Sequence, residues 1–268
     1  MKRVPLEERY ENLIITRDGR KLTITMNRPD SLNAADTVLH EELANVFYDV
    51  ATDPDSDVII LTGAGRAFSA GGDIPWMLDA IEKPEMFEQT AREAKRIAFS
   101  MLDLEKPLIA KVNGHATGLG ATLALFCDVI FAADHAKIGD PHVSIGFVAG
   151  DGGPAIWPQL IGFARAKEYL MTGELLPSTK AAEIGLINYA VPASDLDASV
   201  DAFAERLLKG ATKAIRWSKT VTNIELKRVV HGVMDAGVAY EALSNYTQDH
   251  KEAVMAFREK RKPQFTGN

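Results

Sequence analysis

Two glycine-rich turns are where backbone chemistry could occur in this chain. One is Arg66-Ala67-Phe68-Ser69-Ala70-Gly71-Gly72-Asp73-Ile74; the other is Asn113-Gly114-His115-Ala116-Thr117-Gly118-Leu119-Gly120. Each follows a short apolar run, and the second leads into an apolar helical segment. Glycines let a backbone approach a ligand closely, and a helix start offers unpaired N–H groups. Two such turns could aim two N–H groups at one oxygen that becomes negative during a reaction, an oxyanion hole. The plainer reading of each turn is a tight connection. Neither matches the P-loop or the dinucleotide fingerprint. Cys127 lies in an apolar stretch without basic neighbours and reads as a buried, inert thiol. No His, Cys, Asp or Glu set has metal-ligand spacing, so no metal is expected.

The pattern around these turns predicts an α/β arrangement. Leu13–Thr16 and Leu22–Met26 read as strands joined at Asp18-Gly19, and Ala34–Asp53 as an amphipathic helix. Val58–Thr62 and Pro107–Val112 are continuous apolar runs, as buried strands are. Helices are expected over Pro84–Asp103 and Gly120–Cys127, with short strands at Val129–Ala132 and Lys137–Ile138. Pro154–Ile161, Ala164–Met171 and Ser178–Glu183 read as further helices. A strand, turn and helix unit thus recurs at roughly 50-residue spacing, without identity strong enough to make a sequence repeat. From Ser194, read as a helix cap, the chain is almost wholly helical in pattern. The expected organisation is an α/β core over residues 1–193 and a helical region over 194–268.

Composition narrows the partners. The chain has 268 residues, 46% hydrophobic and 25% charged, as ordinary globular proteins have. Thirty basic against thirty-seven acidic side chains give a net charge of -7, which argues against nucleic acid as the main partner. One cysteine excludes an internal disulfide and fits a reducing compartment. No signal-peptide pattern is visible at the N-terminus, and no apolar run approaches the ~20 residues that span a bilayer. A cytoplasmic protein without a membrane partner is expected.

Several segments together carry a resemblance. They are Asn27-Arg28-Pro29 with Leu32-Asn33-Ala34, Phe68 to Ile74, Val112-Asn113-Gly114 through Cys127-Asp128, and Leu170-Met171-Thr172-Gly173. Ala181 to Val191 and Phe257 to Pro263 complete the set. In this order and spacing the chain resembles the crotonase superfamily, the enoyl-CoA hydratase/isomerase family, over nearly its whole length. The resemblance implies a spiral of ββα units, a helical C-terminal trimerisation region, and an acyl-CoA thioester as substrate. Coenzyme A then arrives as part of the substrate, and no tightly bound cofactor is implied. The family's oxyanion-hole amides map onto Gly72 and Leu119. Ala34 and Ala70 match positions that hold the adenine, and Asp73 and Ile74 are implied as further CoA-binding residues. Phe257 and Lys260 match positions that reach a neighbouring subunit's CoA, which implies a homotrimer or hexamer. Arg28, Arg66 and Lys260 would supply local positive charge to the phosphates.

The resemblance also exposes a departure. Typical hydratases of the family use two glutamates, whose positions here are Thr122 and His142; an isomerase-type carboxylate maps to Gly150. Asp140-Pro141-His142, with Asp151 nine residues after His142, instead resembles 6-oxocamphor hydrolase, a superfamily member that cleaves a β-diketone with a His–Asp pair. An Asp151 carboxylate on one imidazole nitrogen would leave the other to move a proton, while Thr122 shapes the pocket or binds a water. Alternatives are a C–C hydrolase of a β-diketone or β-keto thioester, and a silent acyl-CoA-binding paralogue. Plainer roles stand beside these: a structural His142, a turn-forming Asp151, a loop-bracing Asp73, a core Trp76 and a solvated Lys260. His40, His135, His231 and His250 show no partner pattern and are expected at the surface, and His115 is expected to face solvent or bond backbone.

Overall fold

In a computed structural model, described over residues 4–83 and 85–268, the chain opens with a hairpin. Strands β1 (Leu13–Asp18) and β2 (Lys21–Met26) are antiparallel, and Gly19 takes φ +57° in the two-residue loop. Helix α1 (Thr37–Ala51) is capped by Asp36, whose carboxylate accepts from the Leu39 N–H at 2.9 Å. Then follow β3 (Val58–Gly63), β4 (Ala67–Ser69), α2 (Ile74–Glu82) and α3 (Met86–Asp103). Next come β5 (Leu108–Val112), β6 (His115–Thr117), α4 (Leu119–Leu125), β7 (Val129–Ala133), β8 (Lys137–Gly139) and α5 (Gly153–Thr172). The chain ends through β9 (Leu176–Pro177), α6 (Ser178–Glu183), β10 (Tyr189–Val191), α7 (Leu196–Leu208), α8 (Thr212–Ser244) and α9 (Gln248–Arg258).

Three apolar runs give the interior strands β3, β5 and β7 of a six-stranded sheet ordered β1-β2-β3-β5-β7-β10. After a short link each is followed by one strand of a second sheet, ordered β4-β6-β8-β9, and then by helix. These are the repeated ββα units of a spiral. β3 is buried along its whole length, as a parallel strand covered on both faces must be. In the second sheet β4, β6 and β8 run parallel. Their C-terminal ends therefore lie side by side, where parallel sheets present ligand-binding loops.

Several expected bounds shift. The first helix starts at Thr37 because Ala35 is held in a bridge to Gly72. The helix expected from Pro84 runs from Met86; Pro84 itself lies outside the described residues. Helix α2 has no counterpart among the expected elements, because Pro75 obscures its pattern in so short a segment. Helix α5 breaks at Gly162, the boundary between two expected helices. Ser194 caps nothing: its hydroxyl donates to Asp195 Oδ1 inside a 3-10 turn, and α7 begins at Leu196.

The segment beyond residue 194 packs on the core. Val230, Met234 and Val238, one face of α8 at four-residue spacing, join the main apolar cluster. Leu196, Val200 and Ala204 of α7 cover β3, β5 and β7. Among the described residues no helix is long and apolar enough to cross a membrane.

Buried Asn33 pins the first loop of the site. Its Nδ2 donates to the carbonyls of Ala64 and Ala67 at 2.9 Å, and its Oδ1 accepts from the Arg28 N–H at 2.9 Å. It does so at φ +56°, which Asn tolerates better than most residues. Asn33→Ala removes three bonds, one buried and two part-buried, and leaves their partners unpaired. It is expected to lower unfolding stability by about 2–4 kcal/mol, read from the denaturant midpoint at unchanged slope. A loss under about 0.5 kcal/mol would contradict this role.

Candidate active site

Three parallel strand ends bring three groups together. Gly72 lies three residues past β4, Leu119 two past β6, and His142 three past β8. All three line one cavity of about 50 Å3, room for about three or four waters. The Ala35–Gly72 bridge uses the Gly71 carbonyl, which accepts from Ala35 at 2.7 Å, and the Asp73 N–H, which donates to Ala35 at 2.9 Å. Gly72's own N–H is left out of that pairing. Leu119 opens α4, so its N–H has no partner within the helix. Among the described residues no protein group accepts from either amide.

The glycines between these points are geometric necessities. Gly71 has φ +90°, and a Cβ there would stand 2.9 Å from the Thr117 carbonyl oxygen. Gly118 has φ +55° and ψ -126°, with the His142 Cε1–Nε2 edge beside it. A side chain at Gly71 would push the two turns apart.

His142 does not take its carboxylate partner from Asp151. Its Nδ1 hydrogen-bonds Asp140 Oδ1, because one proline between them folds Asp140 back onto the ring in a tight turn. Asp151 accepts from Thr122 Oγ1 at 3.3 Å. It still stands close: one donor atom each of Asp140, His142 and Asp151 lie within 4.8 Å of one another. Sequence spacing had not suggested this three-donor grouping, in which the bond to Asp140 already occupies the ring's Nδ1. Glu241 of α8 lines the same cavity, three residues beyond Val238 on the helix's buried face.

The electrostatics follow from burial. Desolvation works against a charged His142, but Asp140, Asp151 and Glu241 outweigh it and push the imidazole up to about 10. Burial raises the Asp151 carboxyl, with the His142 charge and the Thr122 bond opposing. Burial also holds Glu241 well above the usual carboxylate range, and the neighbouring Asp151 adds to it. His142 is therefore an imidazolium at neutral pH.

A groove of about 640 Å3 adjoins the cavity through Gly72, Met77 and His142. Ala34, Arg66, Ala70, Asp73, Ile74 and Phe257 line it. Two expectations change here. The Arg28 guanidinium is committed to Asp73 at 2.9 Å, to Asp36 at 3.1 Å and to the Ala34 carbonyl, so it braces the loop and offers no free charge. Asp73 is the other half of that brace. Phe257 borders the groove of its own chain, because α9 packs on the turn holding His142 to Ile145. Lys260 is exposed at φ +55° beyond α9 and does not line the groove. Arg66 is exposed at its rim.

Two histidines expected at the surface are buried in the site. His40 of α1 is 2% exposed, and its Nδ1 lies 2.6 Å from Glu93 Oε2 of α3. His250 of α9 is 1% exposed; its Nδ1 donates to the Ile145 carbonyl at 2.7 Å, and burial lowers its pKa. Both line the cavity, as does Trp76, whose ring centroid is 5.3 Å from that of His40. His40 sits three, four and seven residues before buried Leu43, Ala44 and Phe47, a helical stripe that marks it as inward-facing. Exposed His115 accepts from the Lys137 N–H, and Cys127 is buried with its thiol pKa raised by desolvation.

Comparison with known proteins places this geometry. The sequence profile of the enoyl-CoA hydratase/isomerase family matches residues 20–268, and the chain belongs to that family. It is 37% identical over 261 residues to the crotonyl-CoA hydratase of Syntrophomonas wolfei, covering 96% of this chain and 98% of the relative. An enoyl-CoA hydratase/isomerase structure from Mycobacterium paratuberculosis superposes with TM-score 0.88 at 37% identity, over 91% of this chain and 97% of that one. A β-diketone hydrolase from the cyanobacterium Anabaena, bound to (S)-3-oxocyclohexyl acetic acid, superposes with TM-score 0.84 at 31% identity. That match spans 92% of this chain and 98% of the hydrolase.

The ring charge is testable. In histidine-resolved NMR titration, His142 is expected to stay protonated through pH 8, and Asp140→Asn to lower its midpoint by at least about one unit. The folded pKa lies above the ordinary 6.5, so this pairing stabilises fully below 6.5 and is lost as pH rises through about 10. A wild-type midpoint near 6.5 would contradict it.

Proposed function

We propose that the protein is a hydratase-type enzyme acting on a short acyl-CoA thioester. The observation that carries this reading is the pair of unpartnered amides, Gly72 and Leu119, facing one cavity beside His142. In this reading they hold the thioester oxygen and stabilise the enolate formed next to it. Asp151, steadied by Thr122, takes a proton from water as the hydroxyl adds to the β-carbon. His142 gives its proton to the α-carbon, and the proton on Asp151 returns to the ring to close the cycle. A carboxyl raised by burial is a base tuned toward neutrality, and an imidazolium held by Asp140 is an acid placed over the reacting carbons. The His–carboxylate unit thus replaces the family's two glutamates, with Asp140 as orienting partner. The similarity to hydratases of 37% identity over nearly the whole chain supports this reading.

The CoA portion lies along the groove by Ala34, Ala70, Asp73, Ile74 and Phe257, with Arg66 near its phosphates. It comes and goes with the substrate, and no resident cofactor is required. A homotrimer or hexamer is supported by exposed Trp217, Val221 and Ile224 of α8, an apolar stripe at positions i, i+4 and i+7. Lys260 then faces a neighbouring subunit. A reducing, cytoplasmic setting suits a chain whose one cysteine, Cys127, is a buried free thiol.

A second reading has an observation of its own: the Anabaena β-diketone hydrolase shares the fold at 31% identity. The same groups would then add water to a keto carbonyl, break the adjacent C–C bond, leave the enolate in the oxyanion hole and protonate its carbon from His142. Assays on crotonyl-CoA, acetoacetyl-CoA and free 1,3-cyclohexanedione separate the two. Hydration of crotonyl-CoA is expected, with His142→Ala and Asp151→Asn each lowering kcat/KM about 10²–10⁴-fold. Cleavage of the free dione with no turnover of either thioester would overturn the leading reading.

A further inference from the structure

His40, which lines the cavity, forms with Glu93 behind it a second histidine–carboxylate pair that the proposed reaction leaves unused. His40 comes from α1 and Glu93 from α3, and their 2.6 Å contact closes the cavity wall beside Trp76. Gln89 Nε2 donates to the other Glu93 oxygen at 2.7 Å. Desolvation opposes a charged Glu93, yet the bonds from His40 and Gln89 outweigh it and keep the carboxyl below its usual range. An ionised carboxylate only accepts, so the shared proton sits on His40 Nδ1. The ring is thereby fixed in its Nδ1–H form, which leaves Nε2 as an acceptor. Among the described residues no protein group bonds that nitrogen, although the residue is buried.

The neighbouring wall is polar in the same way. His250 Nε2 is buried without a partner, and Asn245 spends its Nδ2 on the Ala80 carbonyl at 2.9 Å. Both line the cavity together with the apolar Met77, Phe87 and Phe147. A pocket for an unsubstituted alkyl chain would leave the two Nε2 acceptors of His40 and His250 unpaired, which is unfavourable. They call for a ligand with a hydrogen-bond donor away from the thioester.

We propose that His40, positioned by Glu93, is a specificity-determining contact that reads a hydroxyl on the acyl group distal to the thioester, whose O–H donates to Nε2. This deepens the acyl-CoA reading and rests on it for the thioester end. Glu93 acts through His40 and is a positioning residue.

Calorimetric binding tests the proposal with three unreactive thioesters: butyryl-CoA, 5-oxohexanoyl-CoA and 5-hydroxyhexanoyl-CoA. The hydroxy ester is expected to bind wild type at least about tenfold tighter than the other two, because only its distal oxygen can donate. His40→Leu is expected to erase that preference and hold butyryl-CoA within about twofold, which also shows that the variant folds. Glu93→Gln is expected to reduce the preference with the imidazole still present. If the leucine variant fails to fold, His40→Phe takes its place, with the same loss expected. Wild-type indifference to the distal hydroxyl, or a preference that survives loss of His40, overturns the proposal. Failure of every thioester to bind overturns the acyl-CoA reading instead. The His40 contact is then decided on the enol form of 1,3-cyclohexanedione, whose O–H can donate to Nε2: a tenfold weaker complex in His40→Leu supports it, and equal binding sinks it.

Discussion

The bond between Asp140 and the His142 ring organises this site. It forms because Pro141 folds two residues back on one another just past β8, and it fixes one ring nitrogen on Asp140. The other edge of the ring then lies beside Gly118 and the start of α4. Burial alone would discharge the imidazole; the surrounding carboxylates keep it charged. Such a pair costs desolvation, and breaking one partner of a buried pair is far more disruptive than its net contribution to stability suggests. Its value lies in presenting a proton at a fixed point.

The fold supplies that fixed point by repetition. Three ββα units bring three strand ends to one edge of the small sheet, and each end delivers one component: the Gly72 amide, the Leu119 amide and the His142 ring. The C-terminal helices complete the pocket from outside, α8 through Glu241 and α9 through His250 and Phe257. A wall built from so many separate segments depends on the whole fold. This is why a loop pin as distant as Asn33 bears on the site, through the Ala35 bridge to Gly72.

Much of this is legible in the sequence. The buried strands β3 and β5 are plain as unbroken apolar runs, and the glycine turns mark both amides. Less visible is what depends on distance. Asp140 is two residues from His142 and Asp151 nine, and neither spacing states which carboxylate reaches the ring. His40, Glu93, Glu241 and His250 come from four helices and meet only in three dimensions. Their trace in the sequence is a polar residue on an apolar helical stripe: His40 with Leu43 and Phe47, Glu241 with Met234 and Val238. Arg28 misleads in the opposite sense, because a cation near a ligand groove says nothing of the two aspartates that already hold it.

The central claim is that Gly72 and Leu119 hold a thioester oxygen while His142 faces the carbon beside it. A crystal structure of the protein with a bound, unreactive acyl-CoA thioester tests this most directly. The account predicts the thioester oxygen about 2.7–3.1 Å from both amide nitrogens, with the acyl group inside the cavity and the His142 ring edge over the α-carbon. A thioester oxygen bonded elsewhere, with the acyl group lying outside the cavity, would contradict it.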